Sequence, residues 1–253
     1  MKTKKHEVPK FKLIGKTIFF PEQKILAIGD LHIGYEKMLN NEGIILPFNQ
    51  LENTKKEIKE TIQKITSENK EIKKIIFLGD IKHNFGFEKT EALEVRKFLE
   101  FLEKNFSDKK IIFIKGNHDV IQLQGKDYKD YYIDSSEKIA FTHGDKNYID
   151  LFNKKIKIIV MAHIHPAVML KDPSGIKREK FKAFLIGKWK NKNLIIVPSF
   201  FPLIEGTEIN ELYSSFEKTK KDFAIINKKE LKNFKVYIIG EKEIYEFGKF
   251  KDL

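Results

Sequence analysis

Six of the seven histidines fall in short polar segments that also carry Asp, Asn or Gly: Gly29-Asp30-Leu31-His32, Gly79-Asp80-Ile81-Lys82-His83, Gly116-Asn117-His118-Asp119, His143-Gly144-Asp145 and His163-Ile164-His165-Pro166. Asp30 and His32 are two positions apart, as are His163 and His165, and at a strand end or in a tight loop that spacing sends two ligands toward one point. Imidazole, carboxylate and amide oxygen together suit Zn, Mn, Fe or Ni. A carboxylate such as Asp80 can bridge two cations about 3.5–4 Å apart, the separation used for in-line attack on phosphorus. The chain has no Cys, which excludes a thiolate zinc site, a disulfide framework and a Cys nucleophile together.

Each polar segment follows a short apolar run: 25–28, 75–78, 111–114, 139–142 and 158–161. Such runs read as strands buried on both faces, and open α/β sheets place their sites where strands end. Between them, Gln50 to Glu68 and Glu88 to Glu103 carry apolar residues at helical spacing, with Leu93, Phe98 and Leu102 on the expected inner face of the second. From about Phe181 the chain becomes strand-like (181–186, 194–197, 223–226, 236–239, 244–247), which predicts a second, more antiparallel sheet packed on the first. We expect one domain over 1–253, with ligand-bearing loops in 29–166 and second-sheet strands and a basic hairpin in about 167–253.

Of the 253 residues, 48 are Lys or Arg and 36 are Asp or Glu, a net charge of +12, and 41% are hydrophobic. That balance is enough for a full core and favours a polyanionic partner. No apolar run approaches the roughly 20 residues that span a bilayer, and residues 1–16 lack the apolar stretch of a signal peptide. The expected location is therefore cytoplasmic, with no membrane partner.

The ordered set Asp30-Leu31-His32, Gly79-Asp80, Gly116-Asn117-His118-Asp119, His143 and Ala162-His163-Ile164-His165 resembles the signature of the calcineurin-like metallophosphoesterases, with Ala162 where that family usually has Gly. The resemblance implies an α/β fold, a four-layer α/β/β/α sandwich. It also implies two divalent metal ions, Mn expected, with Zn, Fe or Ni as alternatives. By the same resemblance Asp30, His32 and His165 would hold one ion, Asn117, His143 and His163 the other, with Asp80 bridging and His118 acting as the acid near the leaving oxygen. Asp119 is expected to orient His118 or a ligand imidazole, or simply to close its loop; Asp145 has the same ambiguity.

Residues 29–36, 79–83, 184–189 and 198–210 look closer still to archaeal phosphoesterases related to SbcD. In nucleases of that type His83 is linked to handling of the nucleic-acid backbone, and the kinship implies association with a helicase or repair protein. Residues 171–192 hold eight cations against two acids, interleaved with Phe181, Phe184 and Trp189. Lys180, Lys182, Lys188, Trp189 and Lys190 are thus candidates for neutralising phosphates and stacking bases of a single strand. The competing reading of Lys180 to Ile186 is a strand with one wet and one core face.

Three functions are compatible with these residues. The leading one is a binuclear-metal phosphodiesterase or nuclease on DNA or RNA, using a metal-activated water. The second is a phosphatase or pyrophosphatase for a nucleotide or small metabolite, since one centre can serve both ester classes. The third is a non-catalytic scaffold, which the full set of ligands and His118 disfavours.

Overall fold

The computed structural model describes residues 8–45, 49–121, 125–172, 174, 176–201, 206–208 and 224–253. The first sheet contains β1 (Lys12–Ile14), β2 (Thr17–Phe20), β3 (Ile25–Ile28), β4 (Lys74–Phe77), β5 (Lys110–Ile114) and β6 (Tyr128–Lys129), side by side in that order. β1, β2 and β3 form an antiparallel meander, and β3 through β6 run parallel, with Ile28 opposite Phe77 and Phe77 opposite Phe113. The crossovers are helical: α1 (Tyr35–Asn41) and α2 (Gln50–Ser67) link β3 to β4, and α3 (Lys89–Phe106) links β4 to β5.

Capping fixes where the two long helices begin. Asn49 accepts the backbone N–H of Glu52 at the start of α2, and the Glu88 carboxylate accepts those of Thr90 and Glu91 at the start of α3. Ile58, Ile62 and Ile65 of α2 and Val95, Phe98 and Leu102 of α3 pack on Leu26, Ile28, Phe77 and Phe113 of the sheet. Leu93 does not join them: it is 49% exposed, because the inner stripe of α3 runs through 91, 95, 98, 99, 102 and 106 and leaves position 93 on the outer side.

The second sheet is built from β7 (Tyr131–Ile133), β8 (Ile139–Thr142), β9 (Ile158–Met161), β10 (Pro166–Lys171), β11 (Arg178–Trp189), β12 (Lys192–Ile196), β13 (Thr207–Glu208), β14 (Lys235–Ile239) and β15 (Ile244–Lys249). Its order is β13-β10-β11-β12-β9-β8-β7, with β14 beside β11 and β15 beside β14. The five loop-bearing strands are thus divided between the sheets, β8 and β9 lying in the second, parallel to each other and to β12. The second sheet accordingly starts well before residue 167. The expected strand at 223–226 is not formed: residues 224–226 are bends, joined to the site loops by Ile225 N–H donating to the Gly144 carbonyl at 2.9 Å, and Phe223 lies outside the described residues.

The sheets pack face to face. Ile18, Phe20, Ala27, Ile76 and Ile112 of the first meet Phe141, Ile158, Val160, Phe184 and Ile195 of the second, and Phe20 meets Phe141 edge to face at 5.8 Å. The outer face of the second sheet is covered, among the described residues, by Leu151, Leu231, Phe234 and Phe250 from short 3-10 segments and their flanks. The result is an α/β sandwich in which the site-bearing strands β3, β4, β5, β8 and β9 are buried on both faces over most of their length, as their continuous apolar runs require.

Candidate metal centre

The loops after β3 and β4 stay hydrogen-bonded to each other beyond the sheet. The N–H groups of Leu31 and His32 both donate to the Asp80 carbonyl, at 3.1 and 2.9 Å, and Ile33 N–H donates to the Ile81 carbonyl at 2.9 Å. This ladder sets Asp30 and His32 beside Asp80. Two glycines let the backbones close in: a Cβ on Gly116 would lie 2.1 Å from Asp80 Oδ1, and one on Gly79 (φ +106°) 2.5 Å from His143 Nδ1. His32, Asp80, His163 and His165 have φ of 46, 48, 65 and 49°. This left-handed region is sparsely used by non-glycine residues but visited by His and Asp, and such strain is typical of functional loops.

The donors converge from both sheets. Asp80 Oδ2 lies 3.7 Å from His32 Nε2, 3.5 Å from His143 Nε2 and 3.9 Å from His118 Nε2. Asp30 Oδ2 lies 3.2 Å from His165 Nε2. On the other side, His143 Nε2 is 3.0 Å from Asn117 Oδ1 and 3.0 Å from His163 Nδ1. Two metal-capable groups share Asp80: Asp30, His32, Asp80 and His165; and Asp80, His143 and His163. His32, His83 and His118 form a third convergence, and His83 Nδ1 lies 3.4 Å from His32 Nδ1. All seven residues named as metal ligands from the sequence are therefore brought together, with His118 and His83 at their edge.

Asp30, Asp80 and His143 are almost fully buried, and the charge balance reflects it. Burial, reinforced by the negative charge of Asp30, pushes the Asp80 carboxyl up to about 9. Burial also opposes ionisation of Asp30, but the imidazoles of His165, His143 and His32 more than offset it and hold that carboxyl below its ordinary range. Burial lowers His143 to about 4, His83 to about 4 with His118 and Lys82 adding to the effect, and His32 well below the usual imidazole value. His32, His83 and His143 are thus unprotonated at neutral pH, the form of imidazole that binds metal.

Two of the rings are oriented by the main chain. His143 Nδ1 donates to the Leu78 carbonyl at 2.8 Å, turning Nε2 toward Asp80. His118 Nδ1 donates to the His83 carbonyl, leaving Nε2 facing the site. Asp30 Oδ1 is buried without a hydrogen-bond partner among the described residues. A buried carboxylate oxygen with no hydrogen-bond donor, 3.4 Å from the His143 ring, is the environment a divalent cation satisfies, so the donor set fits a metal centre.

Asp119 holds main chain rather than an imidazole. Its carboxylate accepts from the N–H groups of Ile81 at 3.1 Å and Gly116 at 3.0 Å, tying the Asp80 loop to the Asn117 loop; no hydrogen bond joins it to His118. Sequence patterns did not reveal other braces. The side-chain amide of Gln50, at the first position of α2, donates to the carbonyls of Leu31 and His32 at 3.2 and 2.7 Å; its Oε1 accepts from Glu36 N–H, and its own N–H donates to the Glu36 carboxylate. Glu91 in α3 accepts from the N–H groups of His83 and Asn84 at 2.9 and 2.7 Å. Ala162 takes the place of a glycine without strain: it is buried between the sheets and its N–H donates to the His143 carbonyl at 3.0 Å.

The basic strip departs from its sequence reading. Trp189 is 3% exposed, packed in the second sheet's outer core with Nε1 donating to Glu230 at 3.0 Å, so it offers no ring face to a base. Phe184 is buried between the sheets. Lys182 points inward beside it, donating to the carbonyls of Ser199, at 2.8 Å, and Phe201. Burial, with the nearby Lys16 ammonium, lowers its pKa well below the lysine value. Phe200 N–H in turn donates to the Asp30 carbonyl at 2.9 Å, so Lys182 supports the site from behind. Lys188 and Lys190 are exposed and Lys180 partly so, and Lys190 Nζ sits 4.5 Å from the Trp189 ring centroid.

A model of the family described as calcineurin-like phosphoesterase matches residues 23–214, a stretch that contains every residue of the centre. The chain is similar in structure to the nuclease MPE of Pseudomonas putida, at 16% identity and a TM-score of 0.59, covering 94% of this chain and 96% of that one. A second similar structure is Vps29 of Entamoeba histolytica complexed with zinc, at 12% identity and a TM-score of 0.37, covering 89% and 98%. Among the curated proteins, none matches the sequence.

Proposed function

The chain belongs to the calcineurin-like phosphoesterase family and is a metal-dependent phosphoester hydrolase; from that premise we propose that it is a phosphodiesterase acting on DNA or RNA, with two divalent ions, Mn first among them. Asp30, His32 and His165 would hold one ion and Asn117, His143 and His163 the other, with Asp80 bridging. The observation that carries this reading is the sharing of Asp80 by two metal-capable groups. Ions held there supply Lewis acidity that lowers the pKa of water and offsets charge on phosphate oxygens.

The chain's own residues divide the remaining work. His118, fixed through Nδ1 by the His83 carbonyl, presents Nε2 to hold a proton for the departing alcohol oxygen. His83 lies where it would meet the phosphate backbone beside His118, with the two rings stacked at 5.4 Å. Asp30, Asp80 and His143 are sealed inside while His83, His118, His163 and His165 are only half-buried above them, an arrangement that supports approach of a polymer from the surface. The net charge of +12 and the shared fold with a nuclease also support a nucleic-acid substrate.

The test is the ratio of hydrolysis rates for an aryl phosphodiester and the matching monoester with Mn²⁺, with D80A as blank. A diester preference supports the proposal. A monoester preference overturns it in favour of a metabolite phosphatase, and no turnover despite bound metal leaves a scaffold.

A further inference from the structure

The segment between β4 and α3 carries two phenylalanines in the open: Phe85 is 57% and Phe87 73% exposed. Singly exposed apolar side chains are common on folded proteins, so what sets Phe85 apart is how it is held. Phe85 is not a stray side chain on a loose loop. The buried ammonium of Lys82 donates to the carbonyl of Asn84 before it and, at 3.3 Å, to that of Gly86 after it. Glu91, itself 2% exposed, accepts from the backbone of His83 and Asn84 and from the Asn84 side chain, and faces Lys82 at 3.9 Å. Two charged groups are thus taken out of water to fix the backbone on either side of Phe85.

That ring has a defined place. It stacks on His118 with centroids 4.1 Å apart and planes at 23°, so its exposed surface lies one ring away from the imidazole that faces the leaving oxygen. We propose that Phe85 is a stacking platform for the nucleobase on the leaving-group side of the scissile phosphate. The inference rests on the nucleic-acid reading above. Stacking accepts any base, since every base has a π face, and the platform therefore recognises a nucleoside without selecting sequence. It also favours unpaired nucleotides, whose bases are free to leave their own stack.

The experiment compares two substrates of the Mn²⁺-loaded chain: a thymidine dinucleotide, and its analogue with an abasic sugar on the leaving side. Wild type should process the base-bearing substrate with a kcat/KM roughly ten- to hundred-fold higher. F85A should lose that preference chiefly through KM, with its rate on the abasic analogue held within about twofold, and F85W should restore it. Equal losses by F85A on both substrates would overturn the proposal, leaving Phe85 as packing for His118. Equal wild-type rates on both would remove the platform while the nucleic-acid reading stands. Hydrolysis of a p-nitrophenyl ester with neither dinucleotide cleaved would remove that reading, and the platform with it.

Discussion

Oδ2 of Asp80 stands 3.5 Å from Nε2 of His143, a contact made across the junction of the two sheets. Asp80 comes from the loop after β4 and His143 from the loop after β8. Neither sheet alone could assemble this centre, so its metal affinity and its stability both depend on how the junction is held.

Metal binding should expel a proton from Asp80. Its carboxyl is raised to about 9 in the folded chain against about 4 when unfolded. The metal-free fold therefore retains a proton that the unfolded chain releases, and this group's contribution to stability is full below about pH 4 and is lost as pH rises toward 9. Mn²⁺ affinity should rise with pH over the same window, with proton release visible by calorimetry in buffers of different ionisation enthalpy. D80N should flatten the pH dependence of the metal-free Tm and abolish the Mn²⁺-induced increase in Tm. Affinity independent of pH would contradict the assignment.

His118→Ala should keep its metal but lose turnover. The ring is held by a backbone carbonyl and lies outside the two groups that share Asp80, so elemental analysis should give wild-type metal content while kcat falls by about 10²–10⁴-fold. Metal loss equal to that of D80A would show that His118 is a ligand.

Gly116→Ala should damage the centre without removing a ligand. The added methyl would meet Asp80 Oδ1 at 2.1 Å and Asp80 N at 2.3 Å, displacing the bridging carboxylate. Overpacking of this kind costs about 1–3 kcal/mol, and chemical denaturation should register it alongside weakened Mn²⁺ binding. Wild-type affinity would mean that the loops yield more readily than their hydrogen bonds imply.

Trp189→Ala should act as a core mutation. Truncating so buried a ring costs about 3–5 kcal/mol, so loss of any nucleic-acid binding should track loss of fold by circular dichroism. Charge removal at exposed Lys188 and Lys190 should instead spare stability and reduce the salt dependence of binding, if that strip meets phosphate. Unchanged stability of W189A would contradict its placement in the core.

The strand ends and the convergence of their polar loops were legible because continuous apolar runs and Asp/His pairs are local patterns. Which sheet each strand joined was not: 139–142 and 25–28 read alike, yet one belongs to the second sheet and the other to the first. Lys182 was misread for a related reason. It shares period-two alternation with Phe184, and that face turned out to be the inter-sheet side, where a lysine survives only by reaching backbone carbonyls. Gln50 and Glu91 looked like ordinary helix residues, since bracing through main-chain N–H and C=O groups leaves no mark in spacing; Asp119 stood out by its place after His118, but not the main-chain groups it would hold.

The bond from Phe200 N–H to the Asp30 carbonyl ties one of the last strands' loops to one of the first. As the chain leaves the ribosome, β3 and β4 can pair early, but the centre stays unfinished until the chain beyond β12 has returned to Asp30. Closing such distant contacts is the slow part of folding, so metal capture belongs to the end of the process. A nascent chain of this protein should therefore remain inert toward phosphate esters until synthesis has passed Phe200.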